Sequence, residues 1–71
     1  MKNIDEINAK IKKLDKEIEE TEELLIKNLK LCIASQDDKY KYDMITQLIN
    51  ELEKERDSKI NEVLKLYGYK K

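Results

Sequence analysis

The sequence predicts an all-α fold, an antiparallel hairpin of two long helices. Three observations predict it. The 71 residues contain no proline and one glycine, Gly68. Apolar residues recur at alternating three- and four-residue spacings in two separate segments, the signature of helices with one buried stripe. Between them, residues 34–41 hold no aliphatic larger than Ala34. The expected elements are helix 1 at about 4–33, a turn within 34–42 and helix 2 at about 43–67, in one domain covering 1–71.

Helix 1 opens on a heptad seam, Ile4, Ile7, Ile11, Leu14 and Ile18. Asn3 with Glu6 three positions later forms a capping box at its start. The pairs Glu6–Lys10 and Glu23–Lys27 lie in the favourable i,i+4 order. The seam then meets Thr21, a polar residue, and its character changes. Leu24, Leu25, Ile26, Leu29, Leu31, Cys32 and Ile33 crowd into ten residues. At ~100° per residue they cover an arc of roughly 220°, about twice an ordinary core stripe. One partner helix cannot cover that arc, so these seven residues are the candidate protein interface.

Residues 34–42 carry the break. Continuing the first heptad would place Ser35, Lys39, Thr46 and Glu53 in the seam. Ser35, Asp38 and Asp43 are each able to cap a new helix. An uninterrupted helix, the structural coiled-coil alternative, would be a rod about 95 Å long. Helix 2 carries a second stripe of Tyr42, Ile45, Leu48, Ile49, Leu52, Ile60, Val63, Leu66 and Tyr67. Gly68 follows where a C′ glycine ends a helix, with Lys65, Lys70 and Lys71 near the negative end of its dipole. Folding the chain about residue 38 makes facing positions sum to about 77. Cys32 then meets Ile45, Leu25 meets Leu52, Leu14 meets Val63 and Ile11 meets Leu66. Thr21 meets Arg56, so the polar interruptions fall at one level and form a register-setting layer.

Composition bounds the function. Charged residues are 44% of the chain, 15 basic against 16 acidic, which removes any strong general attraction to nucleic acid or to an anionic membrane. No apolar run approaches the ~20 residues of a membrane span, and the N-terminus lacks a secretory apolar core. With one cysteine, Cys32, these features lead to an expectation of a cytoplasmic protein without disulfides. Zinc is not expected from one thiol and no histidine, and no phosphate loop or activated nucleophile is present. The expectation is therefore no catalytic residues, no cofactor, no metal and no enzymatic activity.

Several side chains have two readings. Arg56 either grips an anion or a partner, or packs its stem in the seam while its guanidinium reaches the acidic stretch at residues 15–23; the same holds for Lys59. That stretch, with Asp15, Glu17, Glu19, Glu20, Glu22 and Glu23, is either a site for paired carboxylates or a solvated helix face; without a pocket or helper base the second is expected. Cys32 is expected to be a buried, inert thiol. Two clusters, Lys39-Tyr40-Lys41-Tyr42 and Tyr67 with Tyr69, Lys70 and Lys71, interleave aromatics with lysines. They suit stacking on bases beside phosphates, contact with a protein partner, or sealing the ends of a bundle.

The segment Ser35-Gln36-Asp37-Asp38 is similar to the Ser-Gln-x-Leu-Asp signature of small sporulation-regulating phosphatase hairpins. It has Asp38 and Lys39 where that signature has leucine and aspartate, so nothing carries over. The overall plan resembles the plasmid copy-number RNA-binding hairpin, which dimerises into a four-helix bundle. This likeness is of architecture and rests on no motif.

The leading expectation is an interaction module: a helical hairpin that pairs with itself as a homodimeric four-helix bundle, or with a larger protein. Small adaptors, chaperone-like caps and inhibitors, including phage- or mobile-element-encoded ones, take this form. The alternatives are a nucleic-acid-binding regulatory hairpin using the Tyr/Lys clusters and the coiled-coil rod. Leu25→Asp is expected to break association by charging the widest apolar layer. Lys12→Ala, on the outer face, should leave the melting temperature and the mass in solution unchanged in a thermal scan and light scattering.

Overall fold

The computed structural model describes residues 4–69. Among these residues there are two helices and no strand: α1, Ile4–Ala34, and α2, Lys39–Tyr69. They fold back on each other as an all-α hairpin measuring 56 × 14 × 12 Å. The straight 71-residue rod is thereby replaced by a molecule of little more than half that length. Asn3 of the expected capping box lies outside the described residues, as do Lys70 and Lys71.

The reversal occupies residues 35–38 and needs neither glycine nor a positive φ. The amide of Ser35 is shared between the carbonyls of Leu31 and Cys32, at 3.0 and 3.2 Å, which tightens the last turn of α1. The amide of Asp38 then donates to the carbonyl of Ser35 at 3.0 Å. Asp38 is the N-cap of α2. Its carboxylate Oδ1 accepts from the amide of Lys41 at 3.2 Å, and its carbonyl accepts from Tyr42 at 2.9 Å. The acid also meets the positive end of the α2 dipole. Ser35 therefore closes α1 rather than opening α2, and Asp43 lies inside α2.

Helix α2 thus begins at Lys39, four residues before the expected 43. Residues 39–42 lack aliphatics, but a helix needs apolar side chains only where it faces its partner, and Asp38 supplies the start. At the other end Gly68 does not terminate the helix. No described glycine has positive φ, and α2 runs on to Tyr69. Glycine makes a helix less favourable without forbidding it, and nothing packs close enough to force the chain to turn: a Cβ at Gly68 would meet nothing within 4 Å.

The packing follows one rule. On α1 the seam runs Ile7, Ile11, Leu14, Ile18, Thr21, Leu25, Asn28 and Cys32, and Ser35 continues it into the turn, alternating four and three residues without a break. Each is buried or half-buried. On α2 it runs Ile45, Ile49, Leu52, Arg56, Lys59, Val63 and Leu66, again buried or half-buried. Outside these positions, only Glu17 and Thr46 of the described residues in the two helices are not exposed. The phase therefore survives Thr21. Leu48, Ile60 and Tyr67, expected in the second stripe, stand on its shoulders, and Tyr42, expected to open it, precedes Ile45 near the turn; all four are exposed.

The main apolar cluster lies at the end of the rod away from the turn: Ile7, Ile11 and Val63, flanked by Leu14, Ile18 and Leu66. Near the turn, Cys32 Sγ lies 3.7 Å from Thr46 Oγ1, one residue beyond the expected Ile45. Two stability outcomes follow. Asp38→Ala should cost about 1 kcal/mol and Asp38→Asn much less, measured by denaturant unfolding. Gly68→Ala should raise the melting temperature, because the site is helical with open space for a methyl group. A C′ glycine would give the opposite sign.

Candidate protein-interaction surface

The candidate surface is built from what the seam leaves out. Of the seven crowded residues of α1, the heptad takes two. Leu25 is 5% exposed and Cys32 is half-buried. Leu24, Ile26, Leu29, Leu31 and Ile33 are between 48% and 67% exposed. Leu25 is therefore core in a single copy, and charging it would attack the hairpin itself rather than an interface. The excess arc is real, but it consists of five side chains flanking the seam.

Helix α2 adds to it. Tyr40, Tyr42, Met44 and Leu48 are exposed beside the same half of the rod. Sequence reasoning missed Met44 and assigned Leu48 to the core stripe. The missing signal was phase: measured from Ile45, Ile49 and Leu52, Leu48 lies one position off the seam, and Met44 is four residues before it on the same flank. The turn half of the molecule thus exposes nine large apolar or aromatic side chains, and the other half fewer, with Ile4, Ile60, Leu64, Tyr67 and Tyr69.

The seam of that turn half is also unusually polar. Thr21 and Asn28 occupy it on α1, and Thr46 borders it on α2. Each bonds back to its own helix: Thr21 Oγ1 donates to the Glu17 carbonyl at 2.9 Å, Asn28 Nδ2 to the Leu24 carbonyl at 2.8 Å, and Thr46 Oγ1 to the Tyr42 carbonyl at 2.8 Å. These i,i−4 bonds satisfy the polar groups without tying the two helices together. The Thr21 hydroxyl, 5% exposed in its residue, makes no bond to Arg56.

Arg56 does not reach the acidic stretch of α1. Its Nε and Nη2 donate to Asp57 Oδ1, both at 3.4 Å, along its own helix. Lys59 pairs with Glu55 at 3.1 Å, one turn back. Nearby acids on α2 are within reach without a crossing of the interhelix gap, so the stems fill the seam while the charges turn to solvent. The acids at residues 15–23 are exposed except for half-buried Glu17. Among the described residues no three acidic or thiol side chains converge into a group able to hold a metal ion.

Lys39, Tyr40, Lys41 and Tyr42 lie at one end of the 56 Å rod and Tyr67 and Tyr69 at the other. Tyr40 is 75% exposed and Tyr42 40%, while Tyr67 and Tyr69 are about half exposed. Lys39 and Lys41 share their end with Asp37, Asp38 and Asp43, so no basic patch forms there. Among the described residues no helix is long and apolar enough to cross a membrane.

Comparison of the chain with protein-family models, with curated proteins and with solved structures finds no match to any of them. The class of protein rests on the architecture: a two-helix hairpin whose apolar surface exceeds what its own two helices cover. Thr21→Val should leave the hairpin as stable or more so by denaturant unfolding, since the Glu17 carbonyl remains within the helix ladder and the buried hydroxyl is removed.

Proposed function

We propose that this chain is a non-enzymatic protein–protein interaction module, a helical hairpin that associates through its turn half. Association takes the form of a homodimeric four-helix bundle, and in that form the chain serves as a small adaptor or regulator of a larger protein. One observation carries the reading: Leu24, Ile26, Leu29, Leu31, Ile33, Met44 and Leu48 are all at least 42% exposed within one half of a molecule 56 Å long.

Scattered exposed leucines are ordinary on any surface, but seven large apolar side chains gathered on the two faces of one half mark an interaction region. Fully burying an aliphatic side chain of this size contributes about 1.5–3 kcal/mol, so three or four of them are enough to drive association. A two-helix chain of this length also has little core of its own, and oligomerisation is a common remedy. The apolar surface lies next to the half of the seam that holds Asn28 and Ser35 and is bordered by Thr46, where the hairpin's own packing is least apolar.

The reading is tested by pairing two substitutions. Leu31→Asp should weaken self-association at least ~10-fold in sedimentation or light scattering while helicity by circular dichroism is retained, because Leu31 is half exposed in the single copy. Leu25→Asp should lose helicity, because Leu25 is core. A parent chain that stays monomeric at ~1 mM would overturn the homodimer, since a dissociation constant of that size corresponds to only about 4 kcal/mol.

A further inference from the structure

We propose that a second copy of this chain covers one particular face of the turn half, the face bearing Leu24 and Leu31 of α1 and Met44 and Leu48 of α2, with a two-fold axis passing at Leu48. This rests on the association proposed above and adds its geometry.

The two broad faces of the hairpin differ. On one, α1 presents Ile26, Leu29 and Ile33, but α2 presents polar residues. A shallow groove lined by Ile26 and Leu29 of α1 with Glu53 and Arg56 of α2 shows which residues share that side. The other face is marked at its far end by a groove between Lys10 and Glu17 of α1 and Glu62 and Tyr69 of α2. One and two heptads along α1 from Glu17 stand Leu24 and Leu31, and two heptads back along α2 from Glu62 stands Leu48, with Met44 beside it. These four are 48%, 52%, 42% and 55% exposed, in that order. In the turn half only this face exposes aliphatic side chains or Met on both helices; on the other, α2 adds only tyrosine to polar residues such as Thr46 and Glu53. Apolar residues on the same flank of each helix, beside the seam, are what a four-helix bundle adds to a hairpin.

The patch is centred on one level. Midway between Leu24 and Leu31 lie Lys27 and Asn28, and their numbers add with 48 to 75 and 76. Residues packed across the hairpin add to values on either side, 74 for Ile11 and Val63 and 78 for Cys32 and Thr46. A two-fold axis at that level, across the rod, sets Leu24 against Leu31 of the second copy and Leu48 against its own counterpart. It also sets Lys41 against Glu55 of the second copy, because these lie one heptad either side of Leu48 on the same flank. Lys27 stands at the outer edge, exposed, where its ammonium reaches water.

The area fits this occupant. The turn half presents about 28 × 14 Å in projection, half of the 56 Å length by the 14 Å width, or roughly 400 Å² per copy before side-chain relief is counted. Both copies together present roughly 800 Å² in projection, and the relief of the projecting side chains adds to this toward the ~1,000 Å² at which specific interfaces begin. Stacking the rods along their whole length, turn over free end, would instead press Leu24 and Leu31 onto the charged level of Lys10, Lys13 and Glu17, and those charges would lose water without gaining partners. The two rods therefore overlap by halves, with both free ends projecting.

The test uses the full chain with Cys32→Ser, so that one thiol is placed at a time, and Leu48→Cys or Ile26→Cys in that background. Both sites are exposed in the single copy, so folding is kept. Under mild oxidation, at concentrations where light scattering gives a dimer, Leu48→Cys should convert to a disulfide-linked dimer and Ile26→Cys should stay unlinked. Lys41→Glu should weaken the dimer several-fold, and adding Glu55→Lys should restore it. A dimer in which Leu48→Cys fails to link, or in which Ile26→Cys links as readily, overturns this geometry and leaves self-association standing. A chain that never dimerises overturns both.

Discussion

The structure depends on a single constraint: two helices joined by a four-residue reversal cover one stripe of each other and no more. Ile7 through Ser35 on α1 and Ile45 through Leu66 on α2 keep an unbroken alternation of three and four residues, and nearly every shielded side chain of the hairpin lies on it. Apart from half-buried Glu17 and Thr46, the described residues of the helices that lie off the stripe face water in a single copy. Asp38 makes the geometry possible without glycine, because its carboxylate and carbonyl supply the first bonds of α2 where the chain has just left α1.

That constraint divides the rod into two unlike halves. Toward the free ends, beyond Arg56 and Lys59, apolar residues occupy the stripe and the flanks are mainly charged, with fewer exposed apolar side chains than near the turn. Ile7, Ile11, Leu14 and Ile18 meet Val63 and Leu66 there, with Lys10, Glu17 and Glu62 beside them. Toward the turn the distribution is partly inverted. Asn28, Cys32 and Ser35 sit in the stripe, and Leu24, Ile26, Leu29, Leu31 and Ile33 flank it. The cost of that inversion is hydrophobic surface in contact with water, which is the physical basis of the proposed association.

The polar members of the stripe contribute little to holding the helices together. Thr21 and Asn28, like Thr46 at the border of the stripe, bond to carbonyls four residues back, and Arg56 and Lys59 pair with acids of their own helix. The Cys32–Thr46 contact at 3.7 Å does cross between helices. Register is therefore imposed mainly by the short turn and by apolar interdigitation, not by a cross-helix polar lock. The same economy leaves the charged flanks free, so the surface away from the apolar patches is a solvated mixture of lysine and glutamate.

Much of the fold was legible in the residues alone. The spacing of Ile4, Ile7, Ile11, Leu14 and Ile18, the absence of proline, and the loss of aliphatics at residues 34–41 determined two helices and a reversal, because periodicity and turn chemistry are local properties. The excess of apolar arc at residues 24–33 was also legible, since an arc is a matter of counting. Which of those side chains a single copy hides was decided by tertiary structure. Burial of Leu25 and exposure of Leu24 and Ile26 turn on a rotation of ~100° per residue relative to a partner helix whose position the local sequence does not carry. The same holds for Gly68, which could end a helix or lie within one, and for Arg56, whose reach allowed acids on either helix. Each of these outcomes depends on where another segment of the chain comes to rest, and only the packed hairpin places it.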